Sequence, residues 1–174
     1  MALINKVMPG YTATMWTQTG ASPVALTDSQ LSIWTAQVAA IVGTAAGGTG
    51  VGGIAVPVEV IPPYGSDDAV VSFSVAGART GAKMTTQNQP TSMAITSAWN
   101  SADTALLLIR GDGYSGSTIR TYVFATYDGT NTVAYAINAR IGGMTWDQNT
   151  ASESKFNFTV HPVGGASYGW STNS

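Results

Sequence analysis

Apolar and polar residues alternate in two adjacent runs between Ser117 and Arg140, STIRTYVFATYDGTNTVAYAINAR, separated by Asp128-Gly129. That dipeptide suits a tight hairpin between two strands. A connection of two or four residues places Tyr122 and Phe124 on one face with Val133, Tyr135 and Ile137. The other face then carries Ile119, Val123, Ala125 and Tyr127 beside Thr132, Ala134 and Ala136. A three-residue connection exchanges the faces of the second strand, because side chains alternate with period two. In neither register is one face polar, whereas a single antiparallel sheet normally leaves one face to solvent. The hairpin is therefore expected to be covered on both sides, by its own chain or by another copy.

Elsewhere the pattern predicts one helix and several short strands. Thr27-Asp28-Ser29-Gln30 matches a capping box, and Leu31, Trp34, Val38 and Ile41 follow at helical spacing. This predicts a helix over 28–42, stopped at Gly43, with Trp34 as a core anchor. Strands are predicted at Tyr11–Thr17, Ile54–Ile61, Ala69–Val75, Ser92–Trp99, Thr104–Arg110 and Lys155–Val160, besides the hairpin. Pro57 cannot donate to a ladder, so Ile54–Ile61 is expected at an edge or bulged. Pro62-Pro63-Tyr64-Gly65 and Gly111-Asp112-Gly113 read as turns. Gly142–Ala151, containing Trp146, reads as a loop, and Gly164–Ser174 as a polar tail with Tyr168 and Trp170. Gly77–Pro90 has no apolar period and reads as a long loop or extended arm. The expected fold is mainly β: an antiparallel β-sandwich or partial barrel of seven to eight strands with one helix. It forms a single domain over 1–174, with extended N-terminal and C-terminal segments and the arm at 77–90.

Composition changes this picture in one respect. The 174 residues are 44% hydrophobic but only 9% charged, against about 25% in ordinary soluble domains. Such a surface does little to prevent self-association, which favours a subunit of an assembly over a freely diffusing enzyme. The net charge is −2 and the seven Lys and Arg residues are scattered singly, so there is no basic stripe to grip phosphates. Lys6 interrupts the short apolar start, which is not expected to be a signal peptide. Leu31–Val42 is too short to cross a bilayer, and no membrane partner is expected.

Candidate chemistry is sparse. There is no cysteine and a single histidine, His161, so a catalytic triad lacks its base and a histidine or thiolate metal site its ligands. His161 is expected to be solvated or capped. Asp67-Asp68 suits a charged turn, since adjacent residues in extended chain point to opposite sides. Asp112 and Asp128 lack the further acids of a calcium loop. Gly48, Gly50 and Gly53 satisfy G-x-G-x-x-G, but in the order helix then strand, the reverse of a phosphate-binding turn. Asn157-Phe158-Thr159 fits a glycosylation sequon, read as chance without a secretory signal. No catalytic, cofactor-binding or metal-binding residue is assigned, and no cofactor is expected. The five Trp and seven Tyr residues leave a carbohydrate-binding β-sandwich open as an alternative, with Trp146 or Trp170 as platforms.

The order of elements, a β-prone start, a capped helix, a glycine-rich joint, paired strands around a polar arm, then the hairpin followed by IGGMTWDQNTASESKFNFTVHPVGG, resembles the tail tube (major tail) proteins of long-tailed bacteriophages. The resemblance implies a virion structural protein, not an enzyme, assembled in the host cytoplasm. Copies would join edge to edge into rings, commonly hexamers, and stack into a tube through which DNA passes without specific binding. Partners would be copies of itself and other tail proteins. Ile119, Val123, Phe124, Tyr135 and Trp170 are the candidates for the subunit interface; Met84, Gln87 and Gln89 are those for contact between rings. Another virion component, a capsid decoration or fibre domain, is the alternative within the same class.

Overall fold

The computed structural model describes residues 13–20, 22–23, 26, 32–33, 52–63, 66–73, 82–127, 131–148 and 153–172. The hairpin is at its centre. β7 (Arg120–Tyr127) pairs antiparallel with β8 (Asn131–Asp147), with Tyr122 opposite Ile137, Phe124 opposite Tyr135 and Tyr127 opposite Thr132. This is the register of a four-residue connection, which selects the first of the two face assignments the sequence left open. β8 continues beyond the expected hairpin, and its outer neighbour is β9 (Lys155–Thr172). Bulges lie between Ile137 and Ala139 and between Gly142 and Thr145, and Gly143 there adopts φ 58°. That left-handed backbone, together with the bulge, lets β8 bend while it stays paired.

On the other side of β7 lie β1 (Ala13–Gln18) and then β3 (Gly53–Val56), both antiparallel. β3 is a sheet edge that stops before Pro57, as the missing N–H requires. β6 (Met93–Ala98) pairs with the first part of β9, and β2 (Ser32–Ile33) pairs parallel with Gly169 and Trp170. Beyond β3 the chain meets β6: Val60 bridges Thr96, and the Glu59 N–H donates to the Thr96 carbonyl at 3.0 Å. The Ser97 hydroxyl donates to the Pro57 carbonyl, and Lys155 reaches Glu59 at 2.9 Å. One sheet thus curls until its two ends touch. It is a partial barrel and not two sheets packed face to face.

The concave face holds the main core. Met15, Val56, Met93, Ile95, Tyr122, Phe124, Tyr135, Ile137, Phe156, Phe158 and Val160 meet Ala105, Leu106 and Ile109 of the helix α1 (Thr104–Ser115). The segment Thr104–Arg110, expected as a strand, and Gly111-Asp112-Gly113, expected as a turn, are this helix. Asp103 caps it, accepting from the Leu106 N–H at 2.9 Å, and Gly116 ends it at φ 64° with its N–H on the Asp112 carbonyl. Buried positions 105, 106, 109 and 112 lie on one helical stripe.

The predicted helix over 28–42 is corrected at Ser32–Ile33, which are β2; its other residues, Trp34 included, lie outside the described ones. Asp67 and Asp68 lie not in a turn but in β4 (Ser66–Phe73), which pairs with β5 (Ala82–Pro90) as a separate two-stranded sheet. The expected arm is thus a β-ribbon over its described part. The loop at Gly142–Ala151 begins only after Asp147, and the polar tail at Gly164–Ser174 is strand as far as Thr172.

Candidate assembly surfaces

The convex face of the hairpin is apolar as expected, and its cover lies within the chain. Trp16, Val123, Ala125, Ala134 and Ala136 form a second buried cluster with Leu26 packed against it. Val123 is 0% exposed there, and Phe124 and Tyr135 are 0% exposed on the concave side. These three were candidates for the subunit interface. In the subunit all three are core positions: Val123 in the convex-face cluster, and Phe124 and Tyr135 in the main core. Ile119 is half-buried just before β7. Trp170 lies within the sheet, its backbone paired with Val133 on one side and Ile33 on the other.

The three arm candidates fall on β5. Met84 is opposite Val71, and Gln89 opposite Asp67. The register shifts between Asp68/Asn88 and Val70/Thr85, leaving Thr86 and Gln87 on β5 against Ala69 alone on β4. Gln87 is therefore part of a bulge, a device that twists a ribbon and re-aims it. Among the described residues, the ribbon pairs with no strand of the curled sheet.

Sequence reasoning missed a polar staple at one end of the barrel. Arg120, first residue of β7, donates from Nε to Asp112 Oδ2 and from Nη2 to Asp112 Oδ1 at 3.0 Å. Its Nη1 reaches the carbonyls of Thr19 at 3.0 Å and Gly20 at 2.6 Å. The Thr19 N–H and hydroxyl in turn donate to the Gly52 carbonyl. One guanidinium thus ties α1, β7 and the exit of β1 together, a use of its fork that Lys could not reproduce. Beside it the buried Tyr122 hydroxyl has no hydrogen-bond partner. Burial above all, and then the Asp112 charge, hold it well above the usual phenol range; Arg120 and the nearby Thr17 hydroxyl act the other way. The only sequence signal was an Asp in a Gly-Asp-Gly segment with an Arg eight residues on.

At the rim, Trp146 packs among Trp99 (6.1 Å, edge-on), Phe156 (5.0 Å) and Tyr114 (6.5 Å, nearly parallel). Arg110 sits over Trp99 at 5.7 Å. Trp146 is half-buried in this cluster, while Tyr114 is 71% exposed. The face that Trp146 would offer as a sugar platform under the alternative reading is thus largely occupied by its own neighbours. His161 is exposed, with Nδ1 3.1 Å from the Ser92 hydroxyl. Among the described residues no three acidic or histidine side chains gather at a metal-binding distance. No described helix is long and apolar enough to cross a membrane.

No protein-family model matches the sequence, and no curated protein matches it. Solved structures do share its fold. A chain from the sheath/tube terminator of the PVC extracellular contractile injection system, in the extended state, is similar with TM-score 0.62 and 10% identity, over 95% of this chain and 99% of that one. A chain from the PVC sheath-tube complex gives TM-score 0.59 at 9% identity, over 98% and 95%. One from the tube-terminating cap of the anti-feeding prophage gives 0.58 at 11%, over 97% and 94%. Over nearly its whole length, the chain has the mainly β fold found in these tail-like contractile injection assemblies.

Proposed function

We propose that this protein is a structural, non-catalytic subunit of a phage-tail-like particle, one whose copies form rings that stack into a tube. The observation that carries this reading is the fold shared end to end with chains from tube, terminator and cap structures. A further similar chain, covering 67% of this one, comes from a baseplate described as 6-fold symmetrised, which supports six copies per ring. Low charge supports a life in an assembly. The β4–β5 ribbon, carrying Met84, Gln87 and Gln89, is the contact between successive rings. Other tail proteins bind the ends of the stack. DNA passes through the lumen without specific binding, on a chain of net charge −2 that repels phosphates. The particle is assembled in the host cytoplasm.

Electron microscopy of concentrated protein tests this reading. Rings that stack into open-ended tubes are expected. Single rings that never stack would assign the chain to a terminator or cap, the second reading favoured by two of the similar structures. A chain monomeric at every salt and concentration would refute both. Gln87→Lys with Gln89→Lys is expected to leave rings intact and abolish stacks.

A further inference from the structure

On α1, Leu107, Gly111 and Tyr114 follow at spacings of four and three, so they share one helical face. Leu107 is 37% and Tyr114 71% exposed, and a Cβ at Gly111 would meet nothing within 4 Å. The stripe thus has an open notch between two large side chains. It is continuous with the aromatic rim, since Tyr114 stacks on the half-buried Trp146. Arg110, over Trp99, meets no acid among the described residues. Exposed Tyr, half-buried Trp and an Arg in one place are the composition of an interface hot spot.

The β4–β5 ribbon has a face that matches. Its register sets Val71 opposite Met84 and Phe73 opposite Ala82. The bulge adds its extra residue on β5, so β4 keeps its period of two and Asp67, Ala69, Val71 and Phe73 fall on one face. Asp68, Val70 and Ser72 fall on the other, across from Asn88, Thr85 and Lys83. One face is therefore apolar beyond Asp67. Only Thr91 and Ser92 separate the end of the ribbon at Pro90 from the start of β6 at Met93, whereas Trp99 follows the last residue of β6. The base of the ribbon and the aromatic rim thus lie at opposite ends of β6, about 20 Å apart.

We propose that the rim face of Leu107, Gly111 and Tyr114, flanked by Arg110, Trp99 and Trp146, receives the apolar face of the β4–β5 ribbon from a second copy of this chain. This rests on the stacked tube proposed above and names the surface on which the ribbon lands. Unlike surfaces at opposite ends join copies head to tail, the contact of an open stack. The eight residues of β4, about 26 Å when extended, are enough to pass from one subunit to the next. The charges agree, because Asp67 opens the apolar face of the ribbon and Arg110 supplies a cation without an acid. The notch at Gly111 leaves room for Phe73. A second α1 fits worse: its one acid, Asp112, is buried on Arg120 and offers Arg110 nothing.

The chain has no cysteine, so an engineered pair is unambiguous. With Tyr114→Cys and Phe73→Cys in one chain, oxidation of assembled protein is expected to give a ladder of covalent multimers on non-reducing gels. Tyr114→Cys with Ser72→Cys, on the other face of the ribbon, is expected to give at least tenfold less. Gly111→Trp fills the notch; folded by circular dichroism, it is expected to form rings and to stack at least tenfold less by sedimentation and electron microscopy. Equal crosslinking of the two cysteine pairs, crosslinks only within one chain, or unchanged stacking of Gly111→Trp would overturn the docking face while leaving stacked rings standing. Rings of the unaltered protein that never stack would instead remove the tube-forming role, and this assignment with it.

Discussion

Replacing Arg120 with Met isolates the staple at the end of the barrel. Methionine keeps an unbranched apolar stem of similar reach and removes the charge and all the donors. Asp112 then retains a carboxylate whose side chain is only 6% exposed, and Arg120 itself is 11% exposed, so solvent screens neither well. Removing one partner of a buried pair costs about 3–5 kcal/mol, because the remaining charge is left uncompensated. The Thr19 and Gly20 carbonyls also lose their donor, but both residues are exposed, so these bonds contribute little to the total. At about 2–4 °C per kcal/mol for a chain of this size, the midpoint should fall by about 6–20 °C. Thermal and urea unfolding followed by circular dichroism at subunit concentrations below assembly would measure it. Arg120→Met with Asp112→Leu should recover most of the loss, since no charge is then stranded. A loss under about 1 kcal/mol, typical of an exposed ion pair, would show that the staple is solvated and does not hold α1 to β7.

The two glycines inside α1 should respond differently. A Cβ at Gly111 meets nothing within 4 Å, whereas one at Gly113 collides with the end of the Met144 side chain, which must swing aside. Gly111→Ala should stabilise by about 1 kcal/mol, and Gly113→Ala should gain less, because displacing Met144 offsets part of the helix gain; equal effects in urea titrations would contradict the packing. Val123→Asp puts a charge among buried alanines and should cost several kcal/mol, enough to abolish the folded circular-dichroism signal; a folded subunit defective only in ring formation would return Val123 to the subunit interface. Tyr122 gives a pH signature. Below about pH 10 folded and unfolded chains both keep its proton; above it the unfolded chain loses the proton first, so stability falls as pH rises. Tyr122→Phe should flatten that fall between pH 8 and 11 and, by removing an unpartnered hydroxyl, gain about 1 kcal/mol at pH 8. A loss of stability at pH 8 would mean that the hydroxyl is bonded.

What the sequence determined was local and periodic. Alternation with period two in β7 and β8, with Asp128-Gly129 between them, sufficed for the hairpin and the demand for cover on both sides, while the choice between its two face registers waited on the length of the connection. Pro57 restricted its strand to an edge or a bulge because a missing donor is a property of the residue alone. The same local reading misassigned α1. The apolar run Ala105–Ile109 fits a buried strand or a buried helix equally, and the decisive pair, Asp103 before it and Gly116 after it, was obscured by two internal glycines. Ser32–Ile33 failed in the other direction, since their strand exists only because β9 lies alongside. Tertiary structure alone decided what covers the convex face: Val123 as interface and Val123 as core are the same pattern in the sequence. It alone also brought Arg120 to Asp112. Periodicity reports which face a residue occupies; what lies against that face depends on contacts between segments distant along the chain, which the pattern does not encode.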